Sequence, residues 1–252
     1  MTAVTATATR AETCIAACAD LFLGSGEILA SPMAPIPSLG ARLARLTTEP
    51  DLLLSDGEAY LLADTPALGD SGAIEGWIPY RAVFDVVASG RRHVVMGANQ
   101  IDRYGNQNIS CLGDHARPTR QMFGVRGGPG NTINHRTSYW VPRHSSRVFV
   151  DAVDMVSGVG YDKLRDDPAA RFVDVHRVVS NLGVFDFDGP GRSMRLRSVH
   201  PGVTVDDVRA ATSFDLPVAG HTETRVPTES ELELIRDVLD PRGIREKEVP
   251  SS

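Results

Sequence analysis

Lysine is nearly missing: Lys163 and Lys247 are the only two in 252 residues, and Lys247 sits in the polar stretch "REKEVPSS". That leaves little scope for an imine-forming lysine. Cysteine is almost as scarce. Cys14 and Cys18 stand one helical turn apart in an alanine-rich segment, and Cys111 is isolated. Three cysteines without a framework suit a reducing, cytoplasmic setting, and the first pair reads as small core residues. No apolar run reaches membrane-spanning length. No basic run exists, and the net charge of −6 argues against nucleic acid as a partner. The seven histidines show neither His-x-His nor His-Glu-x-x-His spacing, so no metal site is indicated. The opening "MTAVTATATR" lacks a basic head and an apolar h-region, so it reads as a tail, not a signal peptide.

What remains is a chain that is 42% hydrophobic, enough for a substantial core. Helical spacing marks "RAETCIAACADLFL" (10–23), "IPSLGARLARLTT" (36–48) and "RAVFDVVASG" (81–90), the last closing on a glycine. Between them "EILASPM", "DLLLS" and the continuous apolar "HVVMGAN" read as strands. Further elements follow in "RVFVDAVDMVSG" and "HRVVSNLGVFDF". A last helix in "TESELELIRDVLD" has Thr228 and Glu231 in capping-box register. The alternation predicts an α/β fold: an open, mostly parallel sheet flanked by helices. No repeat and no linker divides it. The organisation is a tail (1–9), one domain (10–240) and a polar C-terminal tail (241–252).

Ligands of open α/β sheets gather beyond the carboxyl ends of the strands. Asp56 and Glu58 follow "DLLLS"; Gln100 and the turn "RYGNQN", with Asn106, follow "HVVMGAN"; "GVRGGPGN" (124–131) follows "TRQMF". Four glycines in that last loop let backbone N–H groups approach a ligand. Arg126 breaks the dinucleotide fingerprint, and no Gly-Lys-Ser/Thr follows for a P-loop. The plain alternative is a tight turn. A guanidinium in a glycine cradle, however, is placed to take a carboxylate or steady an oxyanion. The amides of the Tyr-Gly-Asn turn are weaker signals, because Asn and Gly favour turns for backbone reasons.

From residue 10 to 240 the chain resembles the β subunit of class I CoA-transferases. The resemblance rests on "GANQIDRYGNQN", the glycine loop, "VFVDAVDMVSGVGY" and "HPGVTVDDVRAATSFDL", in the same order. It implies the open NagB/RpiA-like α/β fold, a homologous α-type partner in an α2β2 heterotetramer, and acyl-CoA substrates held between subunits. Coenzyme A would arrive as part of the substrate, with no permanently bound cofactor. In that family a glutamate attacks the thioester, and Asp56 stands in its place. Aspartate is shorter by one methylene, ~1.5 Å, and a misplacement of ~1 Å can cost on the order of 10²-fold in rate. Arg126 and Asn131 also depart from the transferase pattern.

"LLLSDGEA", "GVRGGPGNTINH" and "VVSNLGVFDF" together are similar to one branch: the β subunits of hydrolases that open the last cholesterol rings as CoA thioesters. That implies a retro-Claisen C–C hydrolysis with no carboxylate nucleophile. Arg126 would hold a substrate carboxylate, and the Gly127–Gly128 backbone would form the oxyanion hole. Gln100, Asn131 and Asn106 would frame the substrate. The base would be Asp56, Glu58 or a residue of the partner, with the partner favoured. A true CoA-transferase and a non-catalytic scaffold subunit are the rivals.

Overall fold

The computed structural model describes residues 7–55, 60–122, 124–125, 127–164 and 167–250. The chain opens with helix α1 (Arg10–Ala19), whose Thr9 cap and Glu12 form a reciprocal capping box. The helix expected through residue 23 gives way there to a tighter turn at Asp20–Phe22. Strand β1 (Leu29–Pro32) and helix α2 (Pro35–Leu46) follow. A small three-stranded sheet comes next, from β2 (Leu54–Ser55), β3 (Tyr60–Leu62) and β4 (Ile74–Trp77). Helix α3 (Tyr80–Ser89) leads into β5 (Arg92–Gly97). Two short hairpins then fill the loop region: β6 (Gln100–Ile101) with β7 (Gln107–Asn108), and β8 (Cys111–Leu112) with β9 (Arg120–Gln121). Helix α4 (Gly128–Asn134) runs into β10 (Arg136–Val141). Strands β11 (Asp174–Ser180), β12 (Gly183–Asp186) and β13 (Arg195–Val199) come after it. The last elements are α5 (Val205–Ala210), β14 (Thr222–Glu223), α6 (Glu229–Glu233) and α7 (Arg245–Glu248), with a π-helical turn at Leu234–Leu239 continuing α6.

The main sheet has the order β1-β5-β10-β11-β12-β13-β14. Four of its six pairings are parallel, and only β12 runs against its neighbours. This is the open, mostly parallel sheet anticipated. Alternation explains why the central strands are apolar throughout: Val95 and Trp140 join the core beneath α1 and α2, while Val94, Met96, Tyr139 and Val141 join the core on the other face. Cys14 and Cys18 are fully buried core residues of α1.

Three differences from the sequence reading matter. β10, the sheet's third strand, was not anticipated. "RVFVDAVDMVSG" forms no regular strand; it contributes only isolated bridges, Phe149 to Ile101 and Gly158 to Gln107. Residues read as a polar C-terminal tail are tied into the core. Glu248 accepts from Trp140 Nε1 (2.8 Å) and Ile36 N (2.9 Å), and Arg245 bridges Glu12 and Asp240.

Candidate active site

Two of the polar stretches singled out in the sequence, the amide-rich turn and the end of the glycine loop, meet at the carboxyl end of β5. Gln107 donates from Nε2 to the carbonyl of Gly97, the last residue of β5. Its backbone oxygen accepts from Ser157 N at 2.7 Å, and its N–H donates to Gly158 O at 2.9 Å. The Ser157 carbonyl in turn lies 3.3 Å from where a side chain on Gly128 would begin. The Asn106–Asn108 turn, the Ser157–Gly158 turn and the first residues of α4 thus form one wall. Two buried hydroxyls brace it: Ser110 Oγ and Ser157 Oγ are 2.8 Å apart, and the latter accepts from Ile109 N.

The buried amides are the posts of this wall. Asn106 Nδ2 donates to both Asp102 (2.8 Å) and Asp162 (2.7 Å), while its Oδ1 accepts from Gly160 N. Burial raises the Asp102 carboxyl above its ordinary pKa, opposed by the hydrogen bonds from Asn106 and Tyr104. Gln100 accepts from Asn108 Nδ2 and Asp154 N and donates to Asp154. Asn131 takes Arg92 on Oδ1 and donates to Met96 Sδ. Arg92 is itself buried, and burial lowers its pKa. Each amide called from sequence is therefore committed to framework bonds.

At the glycine loop, Gly128 N–H donates to Val125 O at 2.7 Å, closing a turn. Gly127 N–H has no acceptor among the described residues. Arg126, Asp56 and Glu58 lie outside the described residues. The sequence reading counted Gln107 among the clustered amides of the turn without its role as a brace, and it missed Ser110 and Ser157.

Two cavities bear on ligand binding. One of about 580 Å³ opens where β1 and β2 end, with Pro32, Ser55, Tyr60 and Leu62 in its lining. Another of about 650 Å³ lies on the β12–β14 half of the sheet, away from the glycine loop. Its Arg195 and Arg225 are held by Asp186 and by Asp20 with Glu231. The first lies at strand carboxyl ends, where open α/β sheets gather ligands. Beside it runs an apolar surface. α3 buries none of its residues, and Ile74, Trp77, Tyr80 and Phe84 are 59–78% exposed. Among the described residues no group of three or more His, Cys, Asp or Glu is placed to hold a metal, and no helix is long and apolar enough to cross a membrane.

No protein-family model matches the chain. It is 67% identical over 245 residues, 96% of each chain, to the cholesterol ring-cleaving hydrolase IpdB subunit of Rhodococcus jostii. The crystal structure of Rhodococcus jostii RHA1 IpdAB contains a chain that superimposes with a TM-score of 0.94 at 66% identity, covering 96% of this chain and 98% of that one. Glutaconate coenzyme A-transferase from Acidaminococcus fermentans shares the fold, with a TM-score of 0.74 at 24% identity over 93% of this chain and 96% of that one.

Proposed function

The chain belongs to the family of cholesterol ring-cleaving hydrolase IpdB subunits, and from that premise we propose that it is the β-type half of a two-subunit hydrolase opening a carbocyclic ring of a CoA thioester. The observation that carries the reading is identity of 67% over 245 residues, 96% of this chain. The fold agrees, since the site lies where open α/β sheets gather ligands.

The reaction is a retro-Claisen hydrolysis. Water adds to a ring ketone and leaves a tetrahedral alkoxide. The adjacent C–C bond then breaks, the carbonyl re-forms as a carboxylic acid, and the electron pair passes into an enolate conjugated with the thioester. Protonation at carbon completes the step. Gly127 N–H is the backbone donor we assign to the alkoxide, because Gly128 N–H is already engaged with Val125 O. Arg126 is assigned to a substrate carboxylate, where its planar fork grips both oxygens. The general base is assigned to the partner. Gln100, Asn106 and Asn131 act behind the surface, holding the loops in place.

The partner is an α-type subunit of the same fold, as the relative named IpdAB suggests, with α2β2 assembly. The exposed face of Ile74, Trp77, Tyr80 and Phe84 fits an obligate contact, which is more apolar than ordinary surface. Coenzyme A enters as part of the substrate. The free, buried Cys14, Cys18 and Cys111 suit the cytoplasm.

The test is reconstitution. Both chains together should open a ring-intact CoA thioester with no acceptor acid present, and neither chain alone should do so. Activity that appears only when an acceptor carboxylic acid is supplied would favour a CoA-transferase instead.

A further inference from the structure

Arg42, in the third turn of α2, is 8% exposed and has no carboxylate within ion-pair distance among the described residues. Its Nε donates to Pro66 O at 3.1 Å and one terminal nitrogen to Ser38 O at 3.2 Å. The other terminal nitrogen has no partner among the described residues. Burial lowers its pKa, with no compensating acid. Burying an unpaired charge is costly, so such groups are ordinarily paired or serve a ligand.

This cation lines the cavity of about 580 Å³ at the carboxyl ends of β1 and β2. Asp70, the one acidic side chain in the described lining, is already held by Arg242. Pro32, Leu62, Leu68 and Ile74 supply the apolar part of a mixed lining that also includes Ser38, Ser55 and Ser71. Apolar lining beside a buried cation that has no counter-ion among the described residues suits an amphipathic anion, a carboxylate on a hydrophobic body. We propose that this cavity is a subsite for a carboxylate-bearing alicyclic portion of the substrate, with Arg42 as the group that reads its charge. This rests on the hydrolase reading and adds a second anchoring point, on α2, to the one assigned to the glycine loop.

The contrast of Arg42→Lys with Arg42→Gln isolates the charge. Both variants lose the two carbonyl bonds that steady residues 38 and 66, but only lysine keeps a cation. In the two-chain complex, with assembly and thermal midpoint checked, Arg42→Gln should raise KM for a carboxylate-bearing ring substrate at least 10-fold with kcat changed less. Arg42→Lys should recover most of that loss. The methyl ester of the same substrate should be poor for the wild type and no worse for Arg42→Gln. A second arm needs no turnover: calorimetry with cyclohexanecarboxylate, which carries no CoA, should show binding to the wild-type complex and a loss of at least 10-fold in Arg42→Gln. Binding in this arm without ring opening by the wild type would overturn the hydrolase reading and leave the subsite standing. Equal losses in the lysine and glutamine variants, an unchanged KM, or no difference between acid and ester would overturn the subsite.

Discussion

Gly105 sits at the centre of the "RYGNQN" turn, and its replacement by alanine should be among the most damaging single-methyl changes in the protein. Its φ is +83°, in the region L side chains avoid. A Cβ there would also stand 2.9 Å from the Phe187 ring and 3.2 Å from Val175. Phe187 and Val175 belong to the core on that face of the sheet, so neither can step into solvent. The left-handed backbone costs an alanine ~1–2 kcal/mol, and overpacking a filled core adds ~1–3 kcal/mol. The sum, about 2–5 kcal/mol, lowers the thermal midpoint of a chain this size by roughly 4–20 °C. Because Gly105 precedes Asn106, the strain also reaches the bonds to Asp102, Asp162 and Gly160. Scanning calorimetry of the complex measures the fall. Gly127→Ala is the control, since its φ is −80° and, among the described residues, nothing beyond its chain neighbours would lie closer than 4.0 Å to the added methyl. A Gly105→Ala protein that melts within 2 °C of wild type, or whose midpoint falls no further than that of the Gly127 variant, would refute the steric reasoning.

Glu12 is fully buried against Arg236 (2.7 Å) and Arg245 (3.3 Å). Burial alone would raise its pKa, but the Arg236 bond, the Thr9 N–H and the two guanidinium charges outweigh it and hold the carboxyl below its usual value. Its stabilisation is therefore present above the unfolded pKa and disappears as pH falls through the lowered folded one. Glu12→Gln should cost about 3–5 kcal/mol at neutral pH and flatten the loss of stability below about pH 4.5, as urea titrations across pH would show. Arg126→Ala should lower turnover of the complex by at least about 10²-fold with little restored by lysine, measured on complexes verified by size exclusion; near-full activity would remove Arg126 from the site.

Much of the fold was legible because its signals were local. "HVVMG" reads as a two-face buried strand without help from the rest of the chain, and Thr228–Glu231 closes its capping box within three residues; the matching box at Thr9–Glu12 was not read from the sequence. β10 was not legible. Its inward Thr137 and Ser138 look like loop residues in sequence, and their partners come from elsewhere: Thr137 donates to Asn131 O, and Ser138 meets His93 Nε2 at 2.9 Å. The C-terminal residues hid in the same way. Arg245 and Glu248 read as solvated charges until Glu12 and Trp140 are brought against them. At the site, the amide-rich turn was found, but its bonding was not. Asn106 holds carboxylates 4 and 56 residues away, and no spacing rule reaches that far. Arg42 resembled an ordinary polar residue of an amphipathic helix, since nothing in "GARLARL" shows that loop 63–70 folds over it.

The chemistry itself is most directly tested by running the two-chain complex in ¹⁸O-labelled water with a ring-intact CoA thioester and following both ends of the product by mass spectrometry. One ¹⁸O should enter the new carboxylate formed by C–C cleavage, the thioester should remain intact, and no adduct should appear on Asp56 or Glu58. Release of free CoA, transfer of CoA to an added acid, or a covalent acyl or CoA adduct on either carboxylate would contradict ring-opening hydrolysis as the function of this chain.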